Sequence, residues 1–357
     1  MTLRKAIFWI HLGLGLLALL PMVFLSVTGL LLAFEPQLTD DWAHETRTLR
    51  TKAARERISL DALVTKAMGP ESGKVSSIAI LADSTAYVEL REAKRRFVRV
   101  DPWSGEVQAR TGALQSFLGT IESLHQSLAS GETGRTVTGA SALVCLLLSV
   151  SGLVIWWPRK LVALRHVLWP RSGLRGRARN WQWHNAFGIM SLLPLFVLGL
   201  TGTVMAFPWA EKVLYAVTLS HEPPRLGKKA GSLPSVPGWK GRQWQTWLDT
   251  AKTHAPAGWT GLRLRAPEKP GKGPVINFRG RADGAATGNL VLAPDGSFLS
   301  YKPAGTDLVP RLRALARPLH TGVFLGLPGQ LLIILAALSA LVLAWTGGAL
   351  SWRRFFR

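Results

Sequence analysis

The chain has 357 residues, 48% of them hydrophobic, and its 43 basic and 21 acidic residues give a formal charge of +22. Its mean hydropathy is +0.18. The apolar residues are concentrated in a few long runs, which is typical of integral membrane proteins and excludes an ordinary soluble domain. A single cysteine excludes an intrachain disulfide and a thiolate metal cluster.

The first apolar run predicts a transmembrane helix over residues 7–34, longer than the ~20 residues needed to cross a bilayer. Basic residues precede it, as in a secretory signal. The run is too long for a signal and no A-x-A site follows, so we expect an uncleaved anchor. Three further runs predict one span over 181–207 and two spans that end near Trp157 and Trp352.

Basic residues free of acidic neighbours mark the expected cytoplasmic side. The segment 158–180 contains many basic residues and no acidic residue. The two chain ends, including the tail 353–357, likewise contain basic but no acidic residues. By the positive-inside rule these segments face the cytoplasm, while 35–115 and 208–317 lie outside it. Topology and contact with anionic membrane lipid therefore explain the net charge. We expect a multi-pass protein with both termini cytoplasmic that does not bind nucleic acid.

Both outer segments predict an α+β domain. In 35–115 the helical pattern ISLDALVTKAM precedes alternating stretches, and in 208–317 the pattern WQTWLDTAKTHA does the same. VDPWSGEV and LAPDGSFL each predict two antiparallel strands joined by a tight turn. The second domain is strongly basic, which fits either a solvated face or attraction of an anionic ligand or partner. Its basic residues include Arg263, Arg265, Lys269, Lys272, Arg279 and Arg281.

Two gapless alignments indicate an internal duplication. HLGLGLLALLPMVFLSVTGLLLAF aligns with HNAFGIMSLLPLFVLGLTGTVMAF, and LHQSLASGETG aligns with LHTGVFLGLPG. Each copy would then comprise a span, an outer domain and a second span, related to the other copy by a pseudo-two-fold axis along the membrane normal. The matched positions are His11 with His184, Gly15 with Gly188, Thr28-Gly29 with Thr201-Gly202, His125 with His320, and Gly152 with Gly347.

The matched histidines fall at two levels of the membrane. His11 and His184, the inner pair, lie about one turn into spans that start in the cytoplasm. His125 and His320, the outer pair, precede spans that run back inward. One intramembrane histidine alone is more often a packing residue. Because such residues are costly in a membrane and both symmetry-related pairs are occupied, we interpret them as functional.

Two facing histidines suit haem iron, which takes four ring nitrogens and needs two axial ligands. A metal held by protein alone wants three or four ligands. Gly15 and Gly188 follow the inner histidines by four residues, where they leave clearance for a macrocycle or allow close helix packing. No C-x-x-C-H motif is present. The sequence predicts two b-type haems, with axial ligands His11 and His184, and His125 and His320.

The outer histidines precede their spans by too many residues for one helix. The segments 116–157 and 318–352 each hold an outer histidine and a span. From His125 to Trp157 an unbroken helix would be about 48 Å long, well beyond a bilayer. We expect a break just after each outer histidine, at Gly131 and Gly134 in the first copy. The corresponding residues of the second copy are Gly326, Pro328 and Gly329.

The motif V-D-P-x-[ST]-G-E-V, present as Val100 to Val107, accompanies spans that open on Trp9-Ile10-His11 and Trp183-His184. This combination resembles the PepSY-associated transmembrane family and its inner-membrane siderophore reductases, over essentially the whole chain. The resemblance implies four spans in a bacterial inner membrane and two periplasmic PepSY-like domains. It also implies two haems on the four histidines and reduction of ferric siderophores.

We therefore expect an oxidoreductase that carries electrons from the cytoplasmic side to a periplasmic ferric siderophore or other iron chelate. The sequence identifies no catalytic acid or base and no flavin or nicotinamide motif, so the donor would be a separate reductase, a diffusible flavin or a quinol. The alternatives are a quinol-linked cytochrome with another periplasmic acceptor and a haem-free siderophore transport or assembly protein. A membrane-anchored protease-inhibitor module leaves the symmetric histidines unexplained.

Overall fold

The computed structural model describes residues 2–39, 57–81, 88–92, 97–157, 173–219, 243–267, 273–280, 287–303 and 308–356. Positions 158–172 of the predicted cytoplasmic segment and the basic residues Lys269, Lys272 and Arg281 lie outside them. The chain divides into two compact units. The first comprises Met1–Pro36, Leu118–Ser220 and Arg311–Arg357, and the second comprises Gln37–Phe117 and His221–Pro310.

Long helices make up most of the first unit, and short helices and strands make up the second. The described helices are α1 (Leu3–Leu32), α2 (Glu35–Thr39), α3 (Leu60–Met68), α4 (Ala113–Ser127), α5 (Gly131–Trp156), α6 (Gly176–Met190), α7 (Leu192–Ala206), α8 (Pro208–Val217), α9 (Trp244–Thr253), α10 (Leu308–Thr321) and α11 (Gly326–Phe355). Short 3₁₀ helices cover Gly69–Lys74 and Val323–Leu325. The strands are β1 (Val75–Leu81), β2 (Val88–Glu92), β3 (Phe97–Val100), β4 (Val107–Arg110), β5 (Gly261–Arg265), β6 (Val275–Arg279), β7 (Gly288–Leu292) and β8 (Phe298–Pro303).

Three helices of the described chain are long and apolar enough to cross a membrane, namely Leu3–Leu32, Gly131–Trp156 and Val323–Phe355. The predicted third span, 181–207, is instead a pair, α6 and α7, bent by 65°. Pro194 has no N–H to donate to the carbonyl of Met190, which weakens the helix there. Proline alone does not explain the bend, because its repeat counterpart Pro21 lies inside the unbroken α1. The second copy differs at Ser191, whose hydroxyl donates to the carbonyl of Phe187 at 2.6 Å, a bond that bends helices.

Helices α5 and α7 pack closely in the first unit because glycine lies at their crossing. A Cβ on Gly199 would lie 2.7 Å from the backbone nitrogen of Leu146. One on Gly139 would lie 2.6 Å from the Cβ of Ala206. Small residues are typical of such crossings, since membrane helices gain stability from close van der Waals packing. Helix α1 packs against α5 and α11, and α6 packs against α11.

Both predicted helix breaks are confirmed, at slightly different residues. Helix α4 ends at Ser127 and α5 begins at Gly131, while Leu128 and Ala129 adopt positive φ of 49° and 54°. In the second copy the break covers 322–325 between α10 and α11.

The prediction that Gly134 and Gly329 break the helix is wrong, because they lie inside α5 and α11. The absence of a side chain at these two glycines lets the end of the preceding helix pass close to α5 or α11. A Cβ on Gly134 would overlap the backbone oxygen of Ser127, and one on Gly329 would overlap that of Gly322. Pro328 lies in the first turn of α11, where a missing N–H costs no hydrogen bond.

The strands of both predicted outer domains form one antiparallel sheet in the order β4-β3-β2-β1-β5-β6-β7-β8. Each copy contributes a four-stranded meander, and the first strands of the two copies pair, with Ile78 opposite Leu264 and Ile80 opposite Leu262. The sequence predicts two domains, whereas the structure contains one sheet within one compact unit. The pairing satisfies the N–H and C=O groups that two separate domains would each expose on an edge strand.

The two copies also share one hydrophobic core and cap each other's helices. Leu63 of α3 and Trp247 of α9 are buried in the same cluster as the inward residues of the sheet. The side-chain oxygen of Gln245 accepts the N–H of Leu60 at 2.9 Å, and the carboxylate of Asp61 accepts the N–H groups of Trp244 and Gln245. Each helix thus satisfies first-turn donors of the other.

Both predicted tight turns are present. Asp101 accepts a hydrogen bond from the N–H of Ser104 at 2.9 Å. Asp295 accepts from the N–H and hydroxyl of Ser297, which lowers the pKa of its carboxyl group. Gly296 has a φ of 89°, which a residue with a side chain rarely adopts.

Candidate functional site

The inner histidines meet near one end of the bundle. His11 extends from α1 and His184 from α6, and their ring centroids are 6.4 Å apart with the ring planes at 88°. Both side chains are partly buried. The structure therefore brings together two residues that are 173 positions apart in the sequence, as the duplication predicts.

The outer histidines meet in the same way. His125 lies near the end of α4 and His320 near the end of α10, with ring centroids 6.3 Å apart and ring planes at 64°. The broken helices make this possible, since α4 turns back beside α5, where the hydroxyl of Thr138 donates to the carbonyl of Gln126 at 2.8 Å.

The two centroid distances fit one metal ion between each pair of rings. A metal–imidazole bond is about 2.0–2.1 Å long, and the ring nitrogen lies roughly 1.1 Å from the ring centroid, so two imidazoles on opposite sides of one ion have centroids about 6.3 Å apart. Among the residues that the structure describes, no group of three or more His, Cys, Asp or Glu side chains is arranged to hold a metal ion. Each pair thus suits an iron whose remaining ligands are the four nitrogens of a macrocycle.

Each histidine Nδ1 lies within hydrogen-bond distance of one serine or threonine hydroxyl on a neighbouring helix. For the inner pair the partners are Ser151 on α5 at 2.8 Å and Thr346 on α11 at 3.0 Å. For the outer pair they are Thr28 on α1 at 2.8 Å and Thr201 on α7 at 2.9 Å. Sequence reasoning assigned no role to these four residues.

A glycine follows each of these hydroxyl residues, and a side chain at that position would touch the same imidazole. A Cβ on Gly152 would lie 3.4 Å from Cε1 of His11, and the corresponding distances at the other three glycines are 3.3 to 3.5 Å. We call the four dipeptides the hydroxyl–glycine modules. They are Thr28-Gly29, Ser151-Gly152, Thr201-Gly202 and Thr346-Gly347. The sequence pattern that could have identified them is a Ser-Gly or Thr-Gly dipeptide in every predicted span, at positions that match between the two copies.

Gly15 and Gly188 lie one helical turn after the inner histidines. A Cβ on Gly15 would lie 4.0 Å from Cδ2 of Leu148, and one on Gly188 would lie 3.7 Å from Cδ2 of Leu343. Both contacts are ordinary van der Waals distances, so close helix packing does not require glycine here. Glycine at these positions is therefore compatible with the predicted clearance for a flat ligand.

The inner and outer pairs lie at opposite ends of the first span. His11 and Thr28, the partner of His125, are 17 residues apart on α1. At 1.5 Å per residue the two levels are about 25 Å apart, close to the ~30 Å thickness of the hydrocarbon layer. The two sites thus have the spacing needed to lie near opposite membrane surfaces.

Basic and aromatic residues surround the inner level. The guanidinium of Arg354 lies 4.7 Å from the ring centroid of Trp9 and 4.9 Å from that of Phe8. Arg179 lies 5.6 Å from the ring of Trp183. Cation–π contacts of this kind combine the interfacial preference of tryptophan with a positive charge. They are consistent with the predicted cytoplasmic side.

The outer level has an ion pair between equivalent positions of the two copies. Glu122 precedes His125 by three residues and Arg317 precedes His320 by three, and their charged groups are 3.7 Å apart. The side chain of Arg317 is 70% exposed, so the pair contributes at most about 1 kcal/mol. A second ion pair joins Arg313 to Glu211.

A comparison with protein families finds a family that covers nearly the whole chain. The PepSY-associated TM region matches residues 8–354, which include all four histidines and all four hydroxyl–glycine modules. A search of curated proteins finds no match to this chain.

Proposed function

This chain belongs to the PepSY-associated TM region family, and we propose that it is an inner-membrane di-haem oxidoreductase that reduces a periplasmic ferric siderophore or similar iron chelate. Family membership supports a membrane protein with several apolar spanning helices. The observation that supports electron transfer is the presence of two facing histidine pairs, with centroids 6.4 and 6.3 Å apart, at levels about 25 Å apart.

In this proposal His11 and His184 hold the inner haem, and His125 and His320 hold the outer one. Each haem, when bound, supplies a one-electron couple. The protein holds the two groups in line, excludes water and sets their potentials through its ligands and burial. Within the bundle, a buried apolar cluster is formed by Cys145, Leu195, Ala336 and Ala340, packed against Met22, Leu198 and Leu343.

The buried hydroxyls of the bundle argue against the transport alternative. Ser141, Ser149 and Thr203 each donate to the carbonyl four residues earlier in their own helix, at 2.7 to 2.9 Å. Hydroxyls used in this way have no hydrogen left to donate to a solute. In this proposal a hydrophilic chelate stays on the outer side and receives an electron there.

Reduction would release iron because ferrous ion is a softer acid than ferric ion and binds hard oxygen donors less tightly. The ferric chelate gains one electron and becomes a ferrous chelate, and the donor on the cytoplasmic side would lose one electron for each chelate reduced. The electron donor would be a separate reductase, a flavin or a quinol on the cytoplasmic side.

The proposal is tested by the haem content and redox activity of the purified protein. We expect two low-spin b-type haems per chain in the dithionite-reduced minus air-oxidised absorption spectrum, and rapid reoxidation of both by a soluble ferric trihydroxamate. A folded protein without haem contradicts the proposal. Haems that another periplasmic acceptor oxidises, but the ferric chelate does not, would favour the quinol-linked cytochrome.

Leucine at Gly15 is expected to exclude the inner haem, because in this proposal the side chain would occupy the space that the haem needs one turn from His11. The measurement is haem per chain, which should fall from two to one. Gly13→Leu is the matched control, since a Cβ at Gly13 meets nothing within 4 Å and the residue is exposed. Retention of both haems by Gly15→Leu would show that the space is not the haem site.

A further inference from the structure

We infer that the four hydroxyl–glycine modules are positioning elements that hold each histidine in one tautomer and one orientation, with Nε2 directed to the haem iron. This inference rests on the proposed haem ligation and goes beyond it, because it concerns residues that do not touch the iron. It follows from the same arrangement on four different helices, α1, α5, α7 and α11.

The hydroxyl determines the tautomer of the histidine, because its single hydrogen already forms a bond to a backbone carbonyl. The hydroxyl of Thr201 donates to the carbonyl of Val197 at 2.6 Å. It can therefore only accept from Nδ1 of His320, 2.9 Å away, which requires a proton on Nδ1. In a neutral imidazole Nε2 then carries the lone pair that a metal needs.

The other three modules repeat this bond. Their hydroxyls donate to the carbonyl four residues earlier in the same helix, Thr28 to Phe24 at 2.8 Å, Ser151 to Leu147 at 2.7 Å and Thr346 to Val342 at 2.7 Å. Each of them therefore accepts from its histidine. Second-shell bonds to the distal nitrogen orient a metal-bound imidazole and affect its basicity.

The glycine leaves room for the ring in this orientation. Cε1 lies between the two ring nitrogens, and at Gly202 and Gly347 a Cβ would lie only 3.5 and 3.3 Å from it. Rotation of the imidazole would break the bond between Nδ1 and the hydroxyl. The hydroxyl is also uncharged, so it keeps the imidazole neutral, whereas a carboxylate would give it imidazolate character.

Thr201→Val tests the inference, because valine keeps the shape and removes the acceptor. We expect the outer haem to be retained about 10- to 100-fold less tightly, with an altered low-spin electron paramagnetic resonance signal and midpoint potential. The inner haem should be unchanged and serves as a measure of folding. Thr201→Ser restores the hydroxyl and should restore the wild-type signal.

Thr203→Val is the matched control. Thr203 lies two residues from Thr201, is 3% exposed against 5%, and also donates to the carbonyl four residues earlier, but contacts no histidine. If Thr201→Val keeps the wild-type outer-haem affinity, signal and potential, or if Thr203→Val loses them equally, the inference is wrong. Absence of both haems from the wild type would instead overturn the proposed function.

Discussion

Replacement of His320 by alanine is expected to leave one haem per chain and to reduce electron transfer to a ferric chelate to background. His320 faces His125 at 6.3 Å, and a bis-histidine haem without covalent bonds to the chain loses one of its two axial ligands when either histidine is removed. The inner pair lies about 25 Å away along α1 and should keep its haem. Haem stoichiometry and the rate of chelate-dependent reoxidation measure the two effects.

Two other substitutions sharpen this test. His11→Ala should remove the inner haem and stop electron entry from the cytoplasmic side, while dithionite still reduces the outer haem. His254→Ala is the control, because His254 is exposed, belongs to the second unit and stacks there on Phe298 at 4.4 Å. Two haems in purified His320→Ala would mean that the outer pair does not bind haem.

Alanine at Gly134 is expected to abolish binding of the outer haem by displacing the backbone of the neighbouring helix, although Gly134 itself is not a haem ligand. The added Cβ would overlap the carbonyl oxygen of Ser127, so α4 must move away from α5 and carry His125 with it. Overpacking of this kind costs about 1–3 kcal/mol, and a haem ligand displaced by even ~0.5 Å loses its productive geometry. The measurements are haem per chain and thermal unfolding in detergent.

Gly119→Ala is the matched substitution for this experiment. Gly119 also lies in α4, and a Cβ there would meet nothing within 4 Å, so the variant should keep both haems and equal or exceed the wild type in stability. Gly329→Ala should behave as Gly134→Ala does, since it would overlap the oxygen of Gly322. A Gly134→Ala protein with a normal outer haem would show that this crossing does not position His125.

The histidine pairs were predictable because duplication is a local and repeated signal. Residues at one position in two copies must lie at one depth, and histidine is rare enough in apolar helices for the match to be informative. The hydroxyl–glycine modules were visible only in part. Thr28-Gly29 aligns with Thr201-Gly202, but the sequence does not reveal which histidine contacts which hydroxyl, since the partners are 97 to 162 residues apart.

The sequence by itself determined the spans, the helix breaks beyond the outer histidines, the strands and the pairing of the histidines, because these follow from hydropathy, turn residues and repeat spacing. Only the tertiary structure decided the continuous sheet through β1 and β5, the bend at Ser191 and the ion pair of Glu122 with Arg317. Each of these depends on contacts between distant segments, or on one residue that differs between the copies. The pattern of residues within one copy predicts its own helices and strands, but it does not specify which residues of the other copy they contact.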